Sequence, residues 1–272
     1  MQLCKSWPIS VCSWSFQKDI PEIASIMAAM EVEHINLAIA PALGPNGDAY
    51  LDAVKAQNWT ISAGMMAFDY EDYSTLDTIK VTGGVAPDEH WPASGEAFAK
   101  AAVITKELGG EYILSHVGFL DHSDEAYAKK FYERVRYLGD AAADAGVALL
   151  METGQESAED LQRFIETLNH DSVFVNFDPA NMILYDKGEP ISAIKRLAPW
   201  VKHVHIKDAI RTTTRGTWGG CEVVWGEGEV NSGAFLKALE ECGFDGCVAV
   251  ERERGDQRVA DIATAVRRLR AF

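Results

Sequence analysis

Glu152, Asp178, His205 and Glu251 share one setting in this 272-residue chain: each lies at or near the end of a short apolar run. The runs are Val147–Glu152, Val173–Asp178, Val201–Ile206 and Cys247–Glu251, and successive members of the quartet are 26, 27 and 46 residues apart. Three carboxylates and an imidazole brought together need a cation among them, because like charges that close do not all stay ionised. A divalent metal supplies that charge. Oxygen-rich ligation with a single histidine points to one ion per chain, Mn2+ first, with Mg2+, Co2+ or Zn2+ as alternatives. Strand alternation selects the histidine: His203, His205 and Lys207 share a face at rising heights, and His205 is the histidine nearer the strand end. His203 lies deeper, where it either supports the site from beneath or fills core.

Such a quartet needs a frame that presents successive strand ends to one point. Four more runs precede these, at Ile9–Trp14, His34–Leu37, Thr60–Met66 and Tyr112–His116. Between several of them the apolar period switches to that of a helix. Phe131, Val135, Leu138 and Ala142 form one such face, closed by Gly146, and Ser157 with Asp160 opens another. Strand and helix alternating eight times gives about 34 residues per unit, which predicts parallel strands and a single (β/α)8 barrel domain over residues 1–272. A doubly wound sheet would call for a glycine-rich phosphate turn, and no G-x-G-x-x-G or GKS/T occurs. The first two separations then equal about one unit, and the third is a unit plus a long connection.

Two connections exceed what a barrel requires. Residues 68–95 carry Tyr70, Tyr73 and Trp91, and residues 209–230 carry Trp218 and Trp225 among glycines. Both leave C-terminal strand ends, so they are expected to cover the site, with Trp91 and Trp218 over the metal. Trp14, after the first run, either walls a ligand or packs in core.

Composition removes other classes. Of the residues, 47% are apolar and 24% charged, which is globular. Net charge is −16, which repels a phosphate backbone, so neither nucleic acid nor an anionic membrane is an expected partner. No apolar stretch is long enough to span a bilayer. Five cysteines without a CxxC pair speak against a disulfide framework, and the cytoplasm is the expected compartment. A small molecule is the expected ligand, and self-association is left open.

Five strings occur in order: Met151-Glu152-Thr153-Gly154, Asn176-Phe177-Asp178-Pro179-Ala180-Asn181, His203-Val204-His205-Ile206-Lys207-Asp208, Gly226-Glu227-Gly228-Glu229-Val230 and Val250-Glu251-Arg252-Glu253. Together they resemble the xylose-isomerase-like superfamily, which holds sugar isomerases and epimerases, inosose dehydratases and apurinic endonucleases. The resemblance implies that Glu152, Asp178, His205 and Glu251 bind metal, and that Glu152 and Glu251 exchange a proton on carbon from opposite faces of a sugar. It implies substrate contacts for Arg211 and for Lys207, the latter either stabilising an oxyanion or pairing with Asp208. Where the family often has D-x-x-H, this chain has Asn181, which can hydrogen-bond a hydroxyl but carries no proton. His116, at the end of the fourth run, is a further candidate substrate contact. Arg252, Glu253 and Arg254 read as a rim of ion pairs.

The expected chemistry is proton abstraction beside a ketone, giving an epimer or an isomer of a keto-sugar or keto-polyol. No phosphate cradle is evident, which favours an unphosphorylated substrate. Expulsion of a leaving group, as in a dehydratase, shares the first step and is the alternative. Phosphodiester cleavage fits poorly with only seven histidines, and a non-catalytic sugar-binding barrel would not need the quartet.

Overall fold

Eight parallel strands close on themselves in the computed structural model, which describes residues 3–214 and 220–272. They are β1 (Trp7–Cys12), β2 (His34–Ala38), β3 (Thr60–Met65), β4 (Tyr112–Ser115), β5 (Ala148–Glu152), β6 (Val173–Phe177), β7 (Val201–Ile206) and β8 (Cys247–Val250). Each pairs with its successor, and β8 returns to β1 with Val248 opposite Ile9. The expected eight-stranded barrel is the fold, and the eight expected runs coincide with its strands. Several strands stop a residue short of the run, so that His116, Asp178 and Glu251 directly follow the strand ends. β1 stops two residues short, where Ser13–Phe16 tightens into a 3-10 turn.

Helices cover the outside. Glu125–Ala145 ends at Gly146, whose φ of 78° terminates it, and Ser157 caps Ala158–Leu168 by accepting from the Asp160 amide at 3.1 Å. Elements not anticipated are a short strand Leu3–Cys4 against the start of β1, a helix Leu76–Thr82, and an antiparallel pair of Asp208–Ile210 with Cys221–Val223. The last two sit inside the long connections.

Barrel interiors are usually filled by branched apolar side chains. Here one side keeps that pattern, with Ala63, Leu114 and Leu150 in contact and buried. The other side is polar. Ser10, Asn36, Asn176, His203 and His205 are all fully buried. Ser62 is the extra residue where the β2–β3 register shifts, and its hydroxyl meets Ser10 at 2.9 Å and His203 Nε2 at 3.2 Å. This hydrogen-bonded floor carries the site above it.

Asp208 explains the glycines of the fourth string. Its carboxylate accepts the backbone amides of Ala209, Gly226, Gly228 and Val230 at 2.9–3.1 Å. Gly228 comes so close that a Cβ there would lie 2.2 Å from Asp208 Oδ1. Of the two alternatives for Lys207, pairing with Asp208 is therefore replaced by a backbone clamp. Asp208→Ala strands several buried amides at once and is expected to destabilise the chain by about 3 kcal/mol. Urea unfolding checks this, and a loss below about 1 kcal/mol would contradict the clamp.

Candidate active site

β5, β6, β7 and β8 deliver the quartet to one point. Glu152, Asp178, His205 and Glu251 each offer a ligand atom there, all within 4.8 Å of one another. Asp178 sits between β6 and the helix Pro179–Leu184, whose N-terminus it caps: Oδ1 accepts from the Ala180 and Asn181 amides at 2.8 and 3.1 Å. Its other oxygen, Oδ2, is buried without a hydrogen bond among the described residues and lies 3.9 Å from His205 Nδ1. His205 Nδ1 also faces Glu152 at 2.9 Å and Glu251 at 3.4 Å.

The imidazole is aimed from behind. Nε2–H of His205 donates to Asn36 Oδ1 at 3.0 Å, and Asn36 is itself oriented by donating Nδ2–H to the Ala63 carbonyl at 2.9 Å. That leaves Nδ1 directed at the carboxylates, the arrangement by which an outer partner fixes a ligating histidine. Burial disfavours a charge on His205, but Glu251, Cys12 and Glu152 outweigh it and raise its pKa well above the usual range. Below it His203 donates to Asn176 Oδ1 at 2.7 Å, and burial, helped by His205, keeps it neutral. His203 is thus the support from beneath. Asn36→Ala is expected to weaken divalent-ion binding 10- to 100-fold. A chelator competition titration that finds the affinity unchanged would refute this role for Asn36.

Burial pushes Asp178 up to about 8 even with Lys207 beside it, whereas Lys207 and His205 overcome burial at Glu251 and hold it well below the carboxylate range. Lys207 enters the same cluster at 2.8 Å from Glu251, 2.6 Å from Glu253 and 3.5 Å from Asp178. Burial opposes its charge, yet Glu251, Glu253 and Asp178 together raise its pKa well above the ordinary lysine value. The indole of Trp14 donates to the other oxygen of Glu251 at 2.8 Å, so Trp14 is a site residue rather than plain core.

A cavity of about 880 Å³ opens over the cluster, within the range of small-molecule sites. Trp14, Tyr73 and Tyr185 line it, with His116, Asn181 and Lys207 among its polar groups. Asn181 donates to the Thr153 carbonyl at 3.3 Å, a close approach that Gly154 permits: with φ at 141°, a Cβ there would meet that of Asn181 at 2.3 Å.

Arg211 departs from its expected place. Its guanidinium is held by Asp186 at 2.6 Å and Glu189 at 3.0 Å, with Glu229 at 3.6 Å, and it is not part of the cavity lining. Three carboxylates compete for it where the sequence suggested a substrate. Trp91 departs too. It packs edge-on against Tyr137 and beneath Arg134 in the helical layer, and Tyr73 is the aromatic of that connection that reaches the cavity. Trp218 lies outside the described residues. The rim triplet divides: Arg252 is buried between Glu222 and Asp261, while Glu253 serves Lys207.

Several residues of the site escaped the sequence reading. Asn36 and Glu222 carry no local motif. Glu156 sits in the loop after β5, where burial pushes its carboxyl from about 4.5 up to about 7. The unfolded chain releases that proton first, so the penalty builds between pH 4.5 and 7 and is full above 7. Glu156→Gln is expected to add about 3 kcal/mol of stability near pH 8 and nothing near pH 4. Thermal unfolding at both pH values checks the sign.

A parallel barrel with its buried polar cluster at the C-terminal strand ends is the design on which TIM-barrel enzymes build active sites. The chain belongs to the xylose isomerase-like TIM barrel family, whose description fits residues 24–272. It is similar in structure to a xylose isomerase domain protein from Planctomyces limnophilus, 29% identical, with a TM-score of 0.86 over 97% of this chain and 95% of that one. A D-tagatose 3-epimerase-like protein, 15% identical with a TM-score of 0.72 over 96% of each chain, shares the fold. In sequence the chain is 26% identical to an inosose dehydratase of Clostridium botulinum (strain Alaska E43 / Type E3) over 133 residues. That match spans 43% of this chain and 44% of the dehydratase, so under half of either. No helix among the described residues is long and apolar enough to cross a membrane.

Proposed function

We propose that the chain is a divalent-metal-dependent isomerase or epimerase of an unphosphorylated keto-sugar or keto-polyol, working in the cytoplasm with residues 1–272 as one unit. The observation that carries this reading is the buried Asp178 Oδ2, left without a hydrogen bond among the described residues and facing His205 Nδ1, which also meets two glutamates. That donor set suits a hard divalent ion, Mn2+ first, with Glu152, Asp178, His205 and Glu251 as its holders. Such an ion, when bound, supplies Lewis acidity toward a ketone and its neighbouring hydroxyl.

The protein's own groups do the rest. One of Glu152 and Glu251 takes the proton from the carbon beside the ketone, and the other returns one from the opposite face. The Lys207 ammonium, kept charged by its carboxylates, meets the negative charge of the enediolate. Asn181 offers its amide to a hydroxyl, and Trp14, Tyr73 and Tyr185 wall the sugar from water. Arg211 acts from outside, bracing Asp186, Glu189 and Glu229.

The test is metal analysis after dialysis against MnCl2, combined with solvent deuterium incorporation into a panel of ketoses. About one ion per chain and deuterium beside the ketone support the reading. A chain that binds no ion and exchanges no proton overturns it. Exchange accompanied by loss of water would replace it with elimination, the reaction named for the dehydratase relative.

A further inference from the structure

His116 stands apart from the metal cluster yet beside it. Ser115 is paired with Met151, so His116 and Glu152 are the next residues along two adjacent strands. Both line the cavity. His116 is only 5% exposed, and neither ring nitrogen has a hydrogen-bond partner among the described residues. A buried imidazole left so is costly unless something completes it.

Its neighbours are built to hold it rather than to satisfy it. Glu71 Oε1 comes to 3.4 Å of Nδ1, but that carboxylate is already spent on the amides of Phe68 and Gly84, at 2.9 and 2.8 Å, and on the Tyr73 hydroxyl at 3.3 Å. The Tyr73 ring meets the imidazole edge-on at 5.6 Å. Glu156 is buried as well, burial pushing its carboxyl up to about 7 against the opposing influence of His116.

We propose that His116 is a catalytic acid and base for substrate oxygen, moving a proton between the two oxygens of the enediolate so that the carbonyl shifts by one carbon. This rests on the carbon-proton exchange assigned above to Glu152 and Glu251, and it makes ketol isomerisation, beyond inversion alone, an activity of the site. The balance is internal. Glu152 takes the carbon-bound proton and a C=C bond forms as the carbonyl π bond opens. His116 protonates the former carbonyl oxygen and takes the hydroxyl proton from its neighbour. A new C=O forms there, and Glu152 returns its proton to the former carbonyl carbon. No external oxidant, reductant or co-reactant enters.

The experiment compares the unaltered protein with His116→Asn and His116→Ala in deuterated buffer with MnCl2, using D-fructose, D-tagatose and D-ribulose as probes. Both variants are expected to bind manganese as the unaltered chain does. Aldose formation is expected to fall at least about 100-fold, while deuterium exchange beside the ketone falls less than about tenfold, so that the ratio of the two moves by about ten. Added imidazole is expected to restore aldose formation to His116→Ala, a rescue that a misfolded variant would not show. In the unaltered protein, the ring signal of histidine labelled with 13C and assigned to His116 is expected to move as a ketose is added. Equal loss of exchange and aldose, without rescue, overturns the role of His116 alone. So does an unaltered protein that exchanges and epimerises but forms no aldose. Absence of exchange in the unaltered protein overturns this proposal together with the function it rests on.

Discussion

Asp178→Asn is expected to fold normally and to bind Mn2+ at least about 100-fold more weakly than the unaltered chain. The two oxygens of Asp178 do separate jobs. Oδ1 caps the helix Pro179–Leu184 through the amides of Ala180 and Asn181. Asparagine caps a helix as well as aspartate, so the loss there is a few tenths of a kcal/mol at most, about the scatter of such measurements. Oδ2 is buried without a hydrogen bond among the described residues, facing His205 and the Lys207 ammonium. An amide NH2 in its place presents donors where an ion needs a lone pair, and it removes one negative charge from the site. Nor does the substitution cost stability by uncovering a charge, since the ionised carboxylate is the form that burial resists. Calorimetric titration with MnCl2, paired with a thermal unfolding curve, separates the two jobs. Unchanged metal affinity in a folded Asp178→Asn would mean that the cluster is an ion-pair network held together by Lys207.

Glu152→Gln and Glu251→Gln are each expected to lower solvent deuterium exchange into a ketose by 100- to 10,000-fold, counted per metal-loaded chain. The two are not equivalent. Glu152 ends β5 and Glu251 follows β8, so β6 and β7 lie between them and the two carboxylates approach from different sides of the cluster. Starting from one epimer, the glutamate facing the departing hydrogen controls exchange, and starting from the other epimer its counterpart does. Each substitution should therefore abolish exchange from one epimer more than from the other, with the preference reversed between the two variants. Glu251→Gln carries a second effect. It takes a charge from Lys207 and an acceptor from Trp14, each at 2.8 Å, so it should also loosen substrate binding. Exchange and turnover that survive both substitutions, with metal still bound, would refute the acid–base pair.

Glu152, Asp178, His205 and Glu251 were legible in the sequence because a parallel barrel is a periodic object. Residues that end consecutive strands recur at the length of a βα unit, so spacing alone implies convergence. Alternation along β7 likewise separated His205 from the deeper His203. What spacing cannot convey is contact between strands that are distant in the chain. Asn36 aims His205 across a separation of 169 residues, and Trp14 reaches Glu251 across 237. Nothing local to Asn36 distinguishes it from any buried amide. Arg211 and Trp91 were misplaced for the same reason. Their types suit a sugar site, but the tertiary structure offered the guanidinium three carboxylates, and the indole a partner in Tyr137 and Arg134. The sequence by itself determined the barrel, its strand ends and the ionisable groups carried on them. Only the tertiary structure decided which of those groups face one another, because long-range charge pairing and burial, rather than residue type, set where a flexible cation or a ring comes to rest.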